Sequence, residues 1–398
     1  MKENQMKLNL KQEFVKIGKA NHKSVIAGEG VLCPHLYLGG AGIGKTAQAL
    51  QAGAELAQWH VEQGNIESVQ DFQVILVAAA THDSYEIKGA PKIGENKHGV
   101  EVLHYIPNGD FMPESKNGYA MVIIDEVTSC SEDVQLALFS MVNERKLGRH
   151  SLSDNTVIVL LGNREIDGNT YRPKLAPFQN RLVQFEVDLC PQSWLNFGIE
   201  NKYHQAVLSF IAGDTNQLSE KATKDKPFAT PRSWHNVSKM LKARGDDFLN
   251  EKGGLSDFGY IMVQGAVGFD KAENFKQYIN ELVELPPVEE LLSGEKAFPN
   301  EMTKALAYAS KFYSYVHDGA NEEEQTARLV KLMDLFKNYF DNDKKLKINS
   351  ELLIGVFIQF IKFYPNGIEN KIVFSKELSK VLGIEKVNAA LTNATKLK

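Results

Sequence analysis

Leu36-Tyr37-Leu38-Gly39-Gly40-Ala41-Gly42-Ile43-Gly44-Lys45-Thr46 decides the reading of this chain. A short apolar run, a glycine-rich turn and the start of a helical stretch follow one another without a break. Glycines let a backbone turn its N–H groups inward around an anion, and a helix beginning there adds its dipole. The spacing Gly39-x4-Gly44-Lys45-Thr46 is that of a phosphate loop, in which the lysine reaches the β- and γ-phosphates of a nucleotide and the hydroxyl is a Mg²⁺ ligand. A plain glycine turn before a helix is the alternative, and the combination of strand, motif and helix argues against it. Gly39, Gly40, Ala41, Gly42, Ile43, Gly44, Lys45, Thr46 and Ala47 are therefore the candidate site for ATP, with Thr46 toward the metal.

Outward from this loop, as far as Cys190, short β-branched runs alternate with helical stretches, the pattern of a parallel sheet covered by helices. The runs are Leu36–Leu38, Val74–Val77, Met121–Ile124, Val157–Leu161 and Val183–Val187. The first four are almost continuously apolar, as strands buried on both faces are; the last alternates and predicts an edge strand. A helix is expected from Thr46 to about His60, with Ala49, Leu50, Gly53, Leu56 and Ala57 on one face. Another is expected from Glu132 to about Lys146, with Leu136, Phe139 and Val142 or Asn143 at helical spacing. Asp83 to Tyr119 is rich in Gly, Pro, Lys and Asn and reads as a functional insertion that holds a small hairpin. Its Lys88 and Lys92 could grip a client; a surface loop of no consequence is the other reading.

After Pro191 the strand signal stops. Trp194–Ile211, Pro231–Ala243, Glu273–Leu285, Met302–Val316 and Glu322–Phe340 all read as amphipathic helices. Pro286-Pro287 is a plausible boundary, and Asp341 to Lys345 a solvated loop. The expected domains are residues 1–190, 191–285 and 286–398.

The totals fit an ordinary globular chain of 398 residues, 43% hydrophobic and 24% charged. Its 45 basic against 50 acidic residues give a net charge of −5, a poor basis for a dedicated nucleic-acid binder. Cys33, Cys130 and Cys190 are sparse and unpaired in sequence, as reduced thiols of a cytoplasmic protein are. Met1 to Lys19 is too polar for a secretory signal, and no apolar run is long enough for a membrane span. The histidines show no metal-ligand spacing.

Four more elements carry candidate chemistry. Met121-Val122-Ile123-Ile124-Asp125-Glu126 delivers two carboxylates at the end of a buried strand, where ligands of open α/β sheets bind. Asp125 would hold Mg²⁺ and Glu126 would polarise the water that attacks the γ-phosphate. Asn163, after Val157–Leu161 and Gly162, could hydrogen-bond that water or the γ-phosphate. Arg232, in Thr230-Pro231-Arg232-Ser233-Trp234, sits in the first turn of a helix that Thr-Pro begins; there it reaches a phosphate or is simply solvated. Arg181, in Pro177-Phe178-Gln179-Asn180-Arg181-Leu182, could reach a neighbouring subunit's ATP or pair with a local carboxylate.

In this order the motifs resemble the AAA+ ATPases, and within them the MoxR-like branch. The segments Arg145-Lys146-Leu147-Gly148, Asp154-Asn155 and Val157 to Arg164 are similar to that branch's first-sensor stretch, and Ala229 to Trp234 to its second sensor. The resemblance covers about residues 20 to 290. It implies a P-loop α/β core, an all-α lid and a helical C-terminal extension. It also implies that Asn163 is the first sensor, Arg232 the second and Arg181 the trans-acting finger, with Arg164 and Arg172 as nearby competitors. A homo-oligomeric, hexameric ring is implied, remodelling a client protein, often beside a partner with a von Willebrand factor A domain. A nucleic-acid motor or loader on the same core, and an ATP-gated switch with little turnover, are the rival readings.

Overall fold

The computed structural model describes residues 9–341, except 116, 148–149, 168–180, 222–225, 244, 300–301 and 318–320. Residues 342–345 of the expected solvated loop, Arg172, and residues 177–180 before Arg181 lie outside the described residues. The chain divides into two compact units, Met1–Cys190 and Pro191–Lys398.

The first unit is a sheet between helices. Its strands are β1 (His35–Gly39), β2 (Gln73–Ala78), β3 (Ala90–Glu95), β4 (Glu101–Ile106), β5 (Ala120–Asp125), β6 (Lys146–Leu147), β7 (His150–Ser151), β8 (Thr156–Gly162) and β9 (Val183–Val187). Five of them form one sheet in the order β2-β5-β8-β1-β9, and every neighbouring pair in it is parallel. The helices are α1 (Leu10–Ile26), α2 (Lys45–Glu62), α3 (Ser84–Lys88) and α4 (Glu132–Phe139).

Strand side chains alternate between faces, and both faces are apolar. Tyr37, Met121, Ile123, Val157, Val159 and Leu161 pack with Leu10 and Phe14 of α1 and with Ala49, Ala52 and Leu56 of α2. Leu36, Leu38, Val122, Ile124, Ile158 and Leu160 pack with Val134, Ala137 and Leu138 of α4. Each fully buried Val, Leu or Ile contributes roughly 1.5–3 kcal/mol. Complete burial of Val122 to Ile124 and of Val159 to Leu161 therefore makes β5 and β8 the mechanical centre of the unit. The polar N-terminal stretch conceals α1, capped by the Asn9 side chain on the Gln12 amide.

Several expectations need correction. β2 lies at the sheet's edge, opposite β9, and its Leu76 is 44% exposed, so it is not buried on both faces. Leu50 and Leu136 are exposed; Ala52 takes the buried position on α2, and Val134, Ala137 and Leu138 take it on α4. The helix from Glu132 stops at Phe139 and passes through one π turn, Ser140–Glu144, into Arg145 with a left-handed φ of 53°. The cause is tertiary. The Arg145 guanidinium donates to the carbonyls of Ser153 (2.5 Å) and Thr156 (2.6 Å), which draws the chain out of the helix and into the β6–β7 hairpin. The insertion does hold a hairpin: β3 and β4 pair antiparallel, with Ile93 opposite Leu103.

The second unit is helical over its described residues: Pro191–Glu200, Gln205–Gly213, Pro231–Ala243, Gly245–Phe248, Asp257–Val267, Phe269–Glu284, Val288–Leu292, Met302–His317 and Glu322–Asp341. The helix expected over Trp194–Ile211 is two, broken where Lys202 takes a φ of 53°. Phe210, Trp234 and Phe275 meet in edge-on and tilted contacts at the core, and Trp234 Nε1 donates to the Gln217 carbonyl at 2.8 Å. Tyr308 Oη donates to the Pro286 carbonyl at 2.9 Å, tying the Pro286-Pro287 segment to the next long helix. No helix among the described residues is long and apolar enough to cross a membrane.

Candidate functional site

The strand order assembles the site. β8 lies between β5 and β1, so the carboxyl ends of three parallel strands stand side by side, ending in Gly39, Asp125 and Gly162. Ligands of open α/β sheets bind in this crevice.

From Gly39 the chain turns through Gly42 (φ 73°) and Gly44 (φ 92°) into α2. Gly44 is the N-cap of α2 and holds a left-handed conformation that a side chain would strain. The N-terminus of α2, with the positive end of its dipole, thus opens on the loop. Lys45 is only 7% exposed. Its Nζ donates to the carbonyls of Gly39 (2.8 Å) and Gly40 (2.9 Å) and to Asn163 Oδ1 (3.1 Å). The sequence singled out Lys45 and Asn163 separately; the fold joins them.

Thr46 Oγ1 donates to Asp125 Oδ2 at 2.5 Å, and Asp125 Oδ1 accepts the Glu126 amide at 2.8 Å. A hydroxyl and a carboxylate side by side are a hard-oxygen pair, the donor set that suits Mg²⁺, which takes its remaining ligands from water and substrate phosphates. Glu126 follows with a left-handed φ of 57°. The left-handed turn ends the strand, and the Glu126 side chain is solvent-exposed. Ala41, Ile43 and Ala47 complete the loop and the first turn of α2. Together these groups can bind a polyphosphate, hold a hard cation and present a carboxylate to a water.

Among the candidate arginines, Arg164 Nη1 donates to Asp188 Oδ1 at 2.6 Å, and the pair is 14% and 32% exposed. It fastens the end of β8 to the chain beyond β9. Arg181 is exposed; its guanidinium lies 5.1 Å from the centre of the Phe139 ring, a cation–π contact, and its carbonyl accepts Cys33 Sγ–H at 2.9 Å. Arg232 belongs to the other unit. It is exposed on the first turn of Pro231–Ala243, whose start is closed by the Ser233 amide on Thr230 Oγ1 (3.1 Å) and the Thr230 amide on Ser233 Oγ (2.8 Å).

One residue at the site escaped the sequence reading. Thr128 is fully buried and hydrogen-bonds both the amide and the carbonyl of Asn163. Nothing in Glu126-Val127-Thr128 signals this, because the partner lies 35 positions away.

The first unit is a P-loop α/β core. It is followed by a helical C-terminal part. No family model matches the chain, and no curated protein matches it. Solved structures do. A RuvB mutant from Thermotoga maritima aligns over 74% of this chain and 80% of that one, at 14% identity and a TM-score of 0.35. NtrX from Brucella abortus in complex with ATP aligns over 80% and 67%, at 14% identity and 0.33. PCH-2 from C. elegans aligns over 83% and 70%, at 13% identity and 0.30. All three are distant likenesses. The assignment of the P-loop core stands on Lys45, Thr46, Asp125 and Asn163 meeting at one end of the sheet.

Proposed function

We propose that this chain is an AAA+ ATPase of the MoxR-like branch, which hydrolyses Mg-ATP in a homo-oligomeric, hexameric ring and thereby remodels a partner protein. The observation that carries this reading is the convergence of Lys45 on Asn163 and of Thr46 on Asp125 beside a glycine loop that opens a helix. Neither pair is explained by core packing. In this reading the loop amides and Lys45 bind the β- and γ-phosphates, and Thr46 with Asp125 holds Mg²⁺. When bound, the ion neutralises charge on the phosphates. Glu126 accepts a proton from the attacking water, and the Asn163 amide orients that water. Such groups accelerate the reaction chiefly by positioning and charge stabilisation rather than by covalent chemistry.

Arg181 is the trans-acting finger in this proposal, supported by its exposure and by the local ion pair that engages Arg164. Arg232 is the second sensor. Residues 191–285 form the lid and 286–398 an extension. The segment from the end of α3 through the β3–β4 hairpin, carrying Lys88 and Lys92, contacts the client. A protein with a von Willebrand factor A domain is a fitting partner, and the cytoplasm a fitting location.

The test is native mass and ATPase rate measured together, with and without ATP, for wild type, Glu126→Gln and Arg181→Ala. ATP-driven assembly, loss of turnover in both variants and retained nucleotide binding are expected. A protein that stays monomeric, with Arg181→Ala hydrolysing ATP at the wild-type rate, overturns the ring. DNA- or RNA-stimulated turnover with a steep salt dependence would instead make it a nucleic-acid motor.

A further inference from the structure

The turn that carries Glu126 and the strand end that carries Asn163 are laced together. Val127 N–H donates to the Leu161 carbonyl at 3.1 Å. Thr128 Oγ1 accepts the Asn163 N–H at 2.8 Å and donates to the Asn163 carbonyl at 3.1 Å. Ser129 N–H closes the turn on the Glu126 carbonyl at 2.8 Å. The contact is close: a Cβ on Gly162 would lie 2.9 Å from both Thr128 Cγ2 and Leu38 Cδ2, so glycine at that position admits Thr128. A hydroxyl that both donates to and accepts from one residue's backbone fixes that residue's position and its peptide orientation. Asn163 in turn meets Lys45 through its side chain.

We propose that Thr128 is a positioning residue for the hydrolysis ascribed above, a role that rests on the ATPase reading. It locks the backbone of Asn163 to the Glu126 turn, so that the amide and the carboxylate address one water as a rigid pair. Small misplacements of such groups cost rate rather than binding, because the phosphates are held by the loop and Lys45.

The experiment compares Thr128→Val, which keeps the shape and removes the hydroxyl, with Thr128→Ser, which keeps the hydroxyl. Both are made in wild type and in an Asn163→Ala background, with Lys45→Ala as the reference for the ATPase itself. Expected for Thr128→Val is a kcat at least tenfold lower, about 1.4 kcal/mol, with KM for ATP and nucleotide affinity within about twofold. Thr128→Ser stays within about threefold of wild type, and Thr128→Val adds less than about twofold once Asn163 is alanine, because coupled residues are not additive. An unchanged kcat in Thr128→Val, an equal further loss in the Asn163→Ala background, or loss of nucleotide binding overturns the positioning role. Those results leave the ATPase reading standing if wild type turns over ATP and Lys45→Ala does not. Absence of Lys45-dependent turnover in wild type removes both.

Discussion

Acidification should loosen the first unit in part through His60, and the size of that residue's share follows from its surroundings. His60 is 4% exposed on α2, stacked on Phe72 and tilted against Tyr119. The Asn65 amide nitrogen lies 3.1 Å from both His60 Nδ1 and His22 Nε2, so each ring accepts a hydrogen bond and is neutral. Burial, with the neighbouring His22 adding to it, pushes the His60 imidazole down to about 4, against about 6.5 for a solvated histidine. Above pH 6.5 neither folded nor unfolded chain is charged there, and nothing is lost. As pH falls from 6.5 toward 4, the unfolded chain takes the proton first and unfolding is favoured. The loss is about 2 kcal/mol at pH 5 and levels off near about 3 kcal/mol below pH 4. Carboxylates elsewhere titrate over the same range, so the informative quantity is a difference between two proteins. Urea unfolding read by pulse proteolysis, at pH 7.5 and pH 5, should show wild type losing about 2 kcal/mol more than His60→Gln on acidification. Parallel losses in the two proteins would refute the assignment of the proton to His60.

Chelation of Mg²⁺ should abolish turnover, and Asp125→Asn should raise the Mg²⁺ needed for half-maximal rate by at least about tenfold, because one carboxylate ligand is replaced by an amide; a metal titration of the ATPase checks it, and an unchanged requirement would remove Asp125 from the metal site. Thr230→Ala should destabilise the second unit by about 1 kcal/mol, since it removes half of the reciprocal cap with Ser233; urea unfolding of the full chain, followed by proteolysis and assignment of the cleaved products to each unit, decides it, and the first-unit midpoint should not move.

The candidate site was legible where its signal is local. Gly39 to Thr46 is contiguous, and Asp125-Glu126 ends a run of four apolar residues, so each announces its strand and its turn together. The edge position of β9 was legible in its alternation, and the hairpin in the clustering of Gly and Pro around Ala90. What sequence did not disclose is tertiary. β2 is as apolar as a central strand, yet among the described residues it stands at the edge, paired with β5 alone. Helical spacing continues past Phe139, but Arg145 finds the carbonyls of Ser153 and Thr156, and those bonds outweigh the last helical turn. The break at Lys202 has no Gly or Pro to mark it. Thr128 looks like any threonine in a turn until β8 is laid beside β5.

The site's geometry is set by the register of the core beneath it. Lys45 and Asn163 are 118 positions apart, and Thr46 and Asp125 are 79 apart; no local preference brings either pair together. The pairing of Ile124 with Leu160 and of Leu36 with Leu160 does so, because it places the ends of β5, β8 and β1 at the same height. A slip of β8 by one residue would turn Val159 and Leu161 toward α4 and Ile158 and Leu160 toward α1 and α2. Both faces are apolar, so burial alone would resist that slip weakly. The close approach of Thr128 to Gly162 resists it, since a slip would bring a residue with a Cβ to where one would lie 2.9 Å from Thr128 Cγ2. The packing that admits Thr128 beside Gly162 thus also fixes β8, which is why changes at Leu161 or Gly162 are expected to disturb sheet and site together, and changes at Glu126 or Lys45 the site alone.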